Sequence, residues 1–414
     1  MKIGGAVLLF ALAPFTANTA AQEFFDRLGD LLTLSSPQGD AGARLSGALD
    51  LESYHYQLPA PGLVYSPDGR LFNPRLTLFL DAQAGSAIYF FAQARIDRGF
   101  DPSDGDMQMR LDEYALRYTP AADGRVNFQI GTFAAVVGNW IRRHGSWENP
   151  FITAPLVYEN LTGVWDVAAA RSSGILLSWA HVLPPFSTDE YTDKHLRVPI
   201  VWGPAYAPGV AVFGEINRFS YAAEIKQAAL SSRPESWKID GEAWRYPTLS
   251  TRISFRPNMM WDLGVSVSVG TYLLPSARST IPTGYGLNDY RQFVVGHDIG
   301  FAWHHWQVWA EAYQARFQIP RVGNADTFSW YVSAKYKFTP RFSCGVRWNR
   351  QTFGEIRHGS GMRPWGRDTW RIDLSPAWRF TTHVQLKLQY SLKHENRAAR
   401  ARTQLWGLQL TTRF

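Results

Sequence analysis

The chain closes on T-Q-L-W-G-L-Q-L-T-T-R-F, Thr403 to Phe414. Trp406, Leu408, Leu410, Thr412 and Phe414 form one alternating set; Leu405, Gly407, Gln409, Thr411 and Arg413 form the other. A two-residue repeat sends successive side chains to opposite sides of a strand, so this strand has one apolar and one mostly polar face. Phe414, the last residue, belongs to the apolar set. An aromatic terminus on an apolar face has little use in water. If that face meets lipid, the rest of the chain must supply more strands of about ten residues, joined by short turns and longer loops in alternation.

The preceding segments do so. Val384, Leu386, Leu388, Tyr390 and Leu392 alternate with Gln385, Lys387, Gln389 and Lys393. Phe328, Trp330, Val332, Ala334, Tyr336 and Phe338 alternate with Ser329, Ser333, Lys335 and Lys337. The same period runs back through Trp261 to Val269, Tyr114 to Tyr118, Ile88 to Ile96 and Leu76 to Ala82, as far as Arg44. A β-sandwich also alternates, so the connections decide. Short ones (His304-His305, Thr339-Pro340, Asn217-Arg218) alternate with longer ones, and outward aromatics such as Trp261, Phe301, Trp306, Phe342 and Trp378 gather beside the short turns. That is the pattern of an interfacial girdle. The expected fold is all-β: an antiparallel up-and-down transmembrane β-barrel. Reading 163–169 and 174–181 as a hairpin makes 18 strands; 16 is the alternative if one weak hairpin is misread.

Residues 1–21 read as a secretory signal peptide: Lys2, an apolar run from Ala6 to Phe15, then small residues up to Ala21. Residues 22–43 form an N-terminal periplasmic segment, with weak helical spacing from Phe24 to Leu32, and 44–414 form the barrel. No other stretch approaches the roughly 18 apolar residues of a spanning helix. The single cysteine, Cys344, excludes an internal disulfide. The chain carries 17 Trp, 18 Tyr and 25 Phe, enough for aromatic girdles, and a net charge of +7 that suits anionic solutes or lipopolysaccharide. It has no nucleic-acid motif; Arg397 to Arg402 is its densest basic run.

No G-x-S-x-G, H-E-x-x-H, phosphate-binding loop or Cys pair is present, so neither an enzyme nor a cofactor is indicated. Outward His297 is the only hint of a lipid hydrolase. Asp101, Asp104 and Asp106 have calcium-like spacing, but the trailing Glu of an EF-hand is missing, which favours a solvated acidic loop over a calcium site.

The polar face carries most of the information. Reading inward by alternation, the expected pore-lining cations are Arg75, Arg95, Arg117, Arg125, Lys335, Lys337, Arg347, Arg371, Arg379, Lys387 and Lys393, together with Lys226, Arg252 and Arg413. The anions are Asp50, Glu52, Asp81, Asp97, Glu113, Glu215, Glu224, Asp262, Asp298, Glu311 and Asp373. Either the basic excess of the last strands draws anions into a water-filled pore, or the charges pair and leave it nearly unselective; alternation alone does not decide. The loop 134–159 is rich in bulky residues. Folded inward, it hides Trp140, Ile141, Trp147 and Phe151 and sets Trp140, Arg142, Arg143, His144 and Glu148 at a constriction. Capping the mouth or meeting a neighbouring subunit are its other uses.

With R-V-N-F-Q-I-G-T-F (Arg125 to Phe133), Asn149-Pro150-Phe151 and the aromatic last strand in view, the chain resembles Gram-negative outer-membrane porins, distantly the phosphate-selective (O and P) family. Where the family strand continues with Lys and Pro-Phe-Gly, this chain has Ala134-Ala135-Val136. The resemblance implies a barrel in the outer membrane, contacts with lipid and lipopolysaccharide, channel function and homotrimers. It also implies that the C-terminal strand addresses the outer-membrane assembly machinery. The expected function is passive diffusion of small hydrophilic solutes with mild anion preference. The alternatives are an occluded barrel serving as surface enzyme or adhesin, and a soluble exported β-protein.

Overall fold

A computed structural model describes residues 16–57, 69–99, 106–181, 196–396 and 401–414. Most of the signal stretch, Asp101 and Asp104 of the acidic loop, and residues 397–400 of the basic run lie outside the described residues. Sixteen strands follow one another: β1 Ala41–Tyr56, β2 Arg70–Ala84, β3 Ile88–Asp97, β4 Gln108–Tyr118, β5 Asn127–Phe133, β6 Ala207–Ile216, β7 Phe219–Lys226 and β8 Thr248–Phe255, then β9 Trp261–Thr271, β10 Arg291–Trp303, β11 Trp306–Ile319, β12 Gly323–Lys337, β13 Phe342–Phe353, β14 Thr369–Arg379, β15 Val384–Glu395 and β16 Arg402–Arg413. Each pairs antiparallel with its chain neighbours. β16 pairs with β1, from Leu405 opposite Tyr56 to Arg413 opposite Ala48, and closes the ring. Closure satisfies the backbone without a sheet edge, which lipid would not tolerate.

The last residue is fixed at this seam. The Phe414 amide donates to the Gly47 carbonyl at 3.0 Å, and the Gly47 amide to the Phe414 carbonyl at 3.1 Å. Gly47 has no side chain because a Cβ there would lie 2.6 Å from the Phe414 ring. A three-residue strand, Thr33–Ser35, pairs antiparallel with the start of β1, and a small hairpin, Glu355–His358 with Gly361–Pro364, stands between β13 and β14. The helix Thr16–Leu31 docks at the short-turn end: His383 lies 2.9 Å from the Asp26 carboxylate and its ring stacks on Phe25.

The two faces separate by exposure. Leu388 (51%) and Trp406 (55%) are open, while Lys387 and Gln409 (1% each) are buried. Outward rings meet around the short-turn rim: Trp306 on Tyr336, Tyr336 on Phe338, Phe338 on Phe342 and Phe342 on Trp378, with centroids 4.7–5.7 Å apart.

Three expectations from the sequence change. The ring has sixteen strands, the alternative count, and not eighteen. The stretch read as a hairpin holds a helix, Ser173–His181, and an isolated bridge from Trp165 to Arg197. G-I-L-L-S-W-A is a continuous apolar run, which a short buried helix and a buried strand share. Leu176 and Leu177 pack with Val164, Val198, Phe317 and Trp365 at the long-loop end. Losing a whole hairpin preserves parity, so every other strand keeps its direction. Second, the connection Ile319 to Asn324, which falls among the longer ones in the expected alternation of short and longer connections, is tight, with Ile319 paired to Gly323. Third, β4 carries a bulge: Gln93 faces Glu113 but Ala94 faces Leu111, leaving Asp112 as the extra residue. One added residue inverts the phase of the strand before it, so Arg110 and Asp112 turn inward while Met109 and Leu111 are exposed.

Candidate functional site

The connection 134–206, between β5 and β6, bonds to side chains of many strands, β1, β9 and β11 to β15 among them. The Ser146 hydroxyl donates to Asp50 of β1, and the Gly138 amide to Ser266 of β9 at 3.2 Å. Glu311 of β11 accepts from the amides of Asn139 (2.6 Å) and Trp140 (2.7 Å) and from the Tyr158 hydroxyl (2.6 Å). Asn349 of β13 accepts from the Leu156 amide, Ser375 of β14 donates to the Pro150 carbonyl, and Gln389 of β15 accepts from the Ile152 and Thr153 amides. Arg143 reaches the Tyr331 hydroxyl of β12 and lies 4.1 Å over the Trp309 ring. A segment can touch the polar faces of β1, β9 and β11 to β15 together only from inside the ring.

Glycine is needed at the first turn of this connection. Gly138 has φ +76°, a region disfavoured for side-chain-bearing residues, and a Cβ there would lie 2.1 Å from the Tyr313 hydroxyl. Its absence lets the Glu311 carboxylate receive two successive amides.

Three cations expected to line a pore hold the segment instead. Arg347 donates to Asp373 at 2.7 Å and to the Thr153 carbonyl at 3.0 Å, with its guanidinium 4.3 Å over Phe151. Arg371 joins Asp373 to Glu159 and to the Ala154 carbonyl. Lys387 donates to the carbonyls of Ser146 and Asn149. All three are 1% exposed. A cation buried this deeply needs a full set of acceptors, and loop carbonyls provide them where water has been displaced. Arg125 also departs from expectation: it lies in the turn before β5, 3.2 Å from Asp123 and mostly exposed, because the strand starts two residues later. Lys393 pairs with Glu395 at 3.2 Å. Arg117 stacks against Tyr89, Phe91 and Phe213.

The segment packs toward β9 to β15 and leaves a gap of about 200 Å³ against the opposite wall. Tyr54, Arg75, Arg95 and Gln409 line it from β1, β2, β3 and β16; Trp140, His144, Tyr158, Glu159 and Trp202 line it from the segment. The charges here pair. Arg75 bonds Asp50 (3.0 Å) and Glu52 (2.6 Å), Arg95 lies 3.2 Å from Asp112, and Arg110 joins Asp112 to Asp97. Arg110 and Asp112 are missing from the inward face that alternation predicts only because of the bulge; the break in apolar parity between Leu111 and Tyr114 is the signal that reveals them. Trp202 had a weaker signal, an apolar run whose prolines at 199 and 204 disfavour a central strand.

His144 donates through Nδ1 to the Ile141 carbonyl and accepts the Tyr206 hydroxyl at Nε2, as the neutral tautomer requires. Burial pushes its pKa down to about 4; the Ile141 bond opposes this, and repulsion from Arg95 and Arg75 adds to it. Of the other expected constriction residues, Arg142 and Glu148 are exposed. A different set gathers at the short-turn end: Lys335, Lys337, Arg379 and Arg413 stand at the ends of β12, β14 and β16, and Trp147 is held between Arg379 (5.0 Å) and Arg413 (4.1 Å). Glu148 is the carboxylate whose field reaches Lys335 and Arg413.

The fold has solved counterparts. The anion-selective porin of Comamonas acidovorans superposes with a TM-score of 0.56 at 8% identity, over 90% of this chain and all of that one. OmpF of Salmonella typhi, in complex with daunomycin, gives 0.55 at 8% over 92% and 100%. OmpT, an outer membrane protein of Vibrio cholerae in its trimer form, gives 0.55 at 8% over 90% and 99%. At such identities the likeness is one of fold. No protein-family model and no curated protein sequence matches the chain.

Proposed function

We propose that the protein is an outer-membrane porin of a Gram-negative bacterium, a passive diffusion channel for small hydrophilic solutes moving down their own gradients. The observation that carries the proposal is the pairing of a lipid-type outer face with a polar interior, where an inward segment leaves a gap of about 200 Å³ against a charged wall. A barrel of this strand number is too wide for its own side chains to fill, so what narrows it is the inserted segment. Mild anion preference belongs to the short-turn vestibule, where Lys335, Lys337, Arg379 and Arg413 outnumber the nearby Glu148. The anion selectivity named for the Comamonas porin supports that sign. Phosphate selectivity is not part of the proposal: Ala134-Ala135-Val136 replaces the family's Lys and Pro-Phe-Gly, and the guanidiniums of the gap already hold carboxylates. A homotrimer, reached through the outer-membrane assembly machinery, fits the trimer form of OmpT.

The test is planar-bilayer recording of the purified protein across a potassium chloride gradient. We expect discrete conductance steps and a reversal potential displaced modestly toward that of chloride. Membranes that stay silent would remove the channel and leave the occluded barrel.

A further inference from the structure

The turn before β15 carries a histidine with an acceptor at each ring nitrogen. His383 Nδ1 lies 2.8 Å from the Arg413 carbonyl of β16, and Nε2 lies 2.9 Å from the Asp26 carboxylate of the helix Thr16–Leu31. A backbone carbonyl cannot donate, and a carboxylate open to water is ionised near neutral pH. Neutral imidazole has one N–H and can serve only one of the two. Both bonds together require the imidazolium, with a proton on each nitrogen. The ring is held in place: its side chain is 14% exposed, it stacks on Phe25 at 5.4 Å, and the His383 carbonyl accepts the Arg413 amide at 2.9 Å. The other charged groups of the packed elements are turned elsewhere. The Arg413 guanidinium donates to the Thr382 carbonyl, Arg379 of β14 donates to Gln385, and Arg27 of the helix faces Glu23 at 4.0 Å. Asp30 is exposed, one helical turn beyond Asp26.

The segment behind this contact crosses the closing seam. Thr33–Ser35 pairs with β1 at Gly42 to Arg44, and the Leu45 amide donates to the Leu32 carbonyl at 3.0 Å. The other edge of β1 is taken by β2, and β16 ends with Phe414 bonded to Gly47. The N-terminal segment therefore takes over β1 where β16 stops, passes that end and reaches the turn before β15. Phe25 and Asp26 lie after the expected signal stretch 1–21. Backbone bonds hold the segment on the β1 side; the His383 ring holds it on the β15 side.

We propose that residues 22–32 form a pH-sensitive clasp across the end of β16, fastened by imidazolium His383 to Asp26 and released when the ring loses its second proton. Deprotonation leaves a nitrogen lone pair facing either the carbonyl or the carboxylate. The helix then loses its hold on the β15 side while Thr33–Ser35 stays paired with β1. Docking is coupled to proton uptake, so it is strongest on the acid side of the histidine range and weakens as pH rises. The clasp stands apart from the gap and does not depend on whether the barrel conducts.

The experiment is amide hydrogen exchange of the intact, detergent-solubilised protein at pH 5.5 and pH 8.5, read by mass spectrometry on peptides covering residues 22–32. Rates are corrected for the intrinsic base catalysis of exchange. We expect the opening constant of the helix to be about tenfold larger at pH 8.5, the worth of one charge-assisted hydrogen bond, while amides of β15 and β16 keep their protection. Asp26→Asn separates the clasp from plain packing. Its amide can donate to the neutral ring at Nε2, so the helix should stay protected at both pH values. His383→Gln, which should abolish the pH dependence, is the second variant should the first fail to fold. An opening constant that is equal at the two pH values in the wild type overturns the clasp. A pH-dependent opening that survives in either variant overturns the His383–Asp26 pair as its origin.

Discussion

Arg371 and Glu159 belong to different parts of the chain, a strand and the inserted segment, and each is buried against the other with Asp373 between Arg371 and Arg347. Removing one partner of such a set strands the other charges away from water. Arg371→Met should therefore cost about 3–5 kcal/mol in urea unfolding of the detergent-solubilised barrel, and adding Asp373→Asn should recover part of the loss. His144 predicts a pH effect of known sign. Its folded pKa of about 4 lies below the ordinary 6.5. As pH falls from 6.5 toward 4 the unfolded chain takes up a proton that the folded one refuses, so stability present above pH 6.5 is lost through that window. Thermal midpoints at pH 7 and pH 5 should differ more for the wild type than for His144→Gln. Alternation revealed which of these residues face inward. It could not reveal Glu159 as the partner of Arg371, because that pairing depends on how an irregular segment folds back across the ring.

The barrel strands were legible because their period is strict and one face must meet lipid; a single slip would turn charges outward. The inserted segment was legible only as an excess of bulky residues in a loop. Its 174–181 run carries no period that separates helix from strand, and Arg110 and Asp112 show as inward only once the parity break between Leu111 and Tyr114 is read as a bulge. The last strand makes a testable case. Phe414 supplies two backbone hydrogen bonds to Gly47 and a ring over it. Deleting Phe414 should lower the folded fraction severalfold in refolding experiments read by heat-modifiable electrophoretic mobility, with Gly47→Val producing a similar loss through displacement of the ring.

For the molecule as a whole, the outer belt tolerates charge poorly. Leu388→Arg, at an exposed position along β15, should destabilise the lipid-embedded barrel by roughly 2–4 kcal/mol if it sits near the bilayer midplane, whereas Lys337→Glu at the short-turn mouth should leave stability nearly unchanged and move the reversal potential toward potassium. Lys335, Lys337, Arg379 and Arg413, which have no carboxylate partner among the described residues, gather at the short-turn end, and the long-loop end is roofed by the apolar cluster around Val198, Phe317 and Trp365. A conduit whose fixed charge is lopsided along its axis behaves as a weak diode: chloride accumulates in it under one polarity and drains under the other. Current through oriented single molecules in symmetric salt should rectify, more steeply as ionic strength falls and the Debye length grows. A straight current–voltage line at about 10 mM salt would mean that Lys335, Lys337, Arg379 and Arg413 do not face the conducting path.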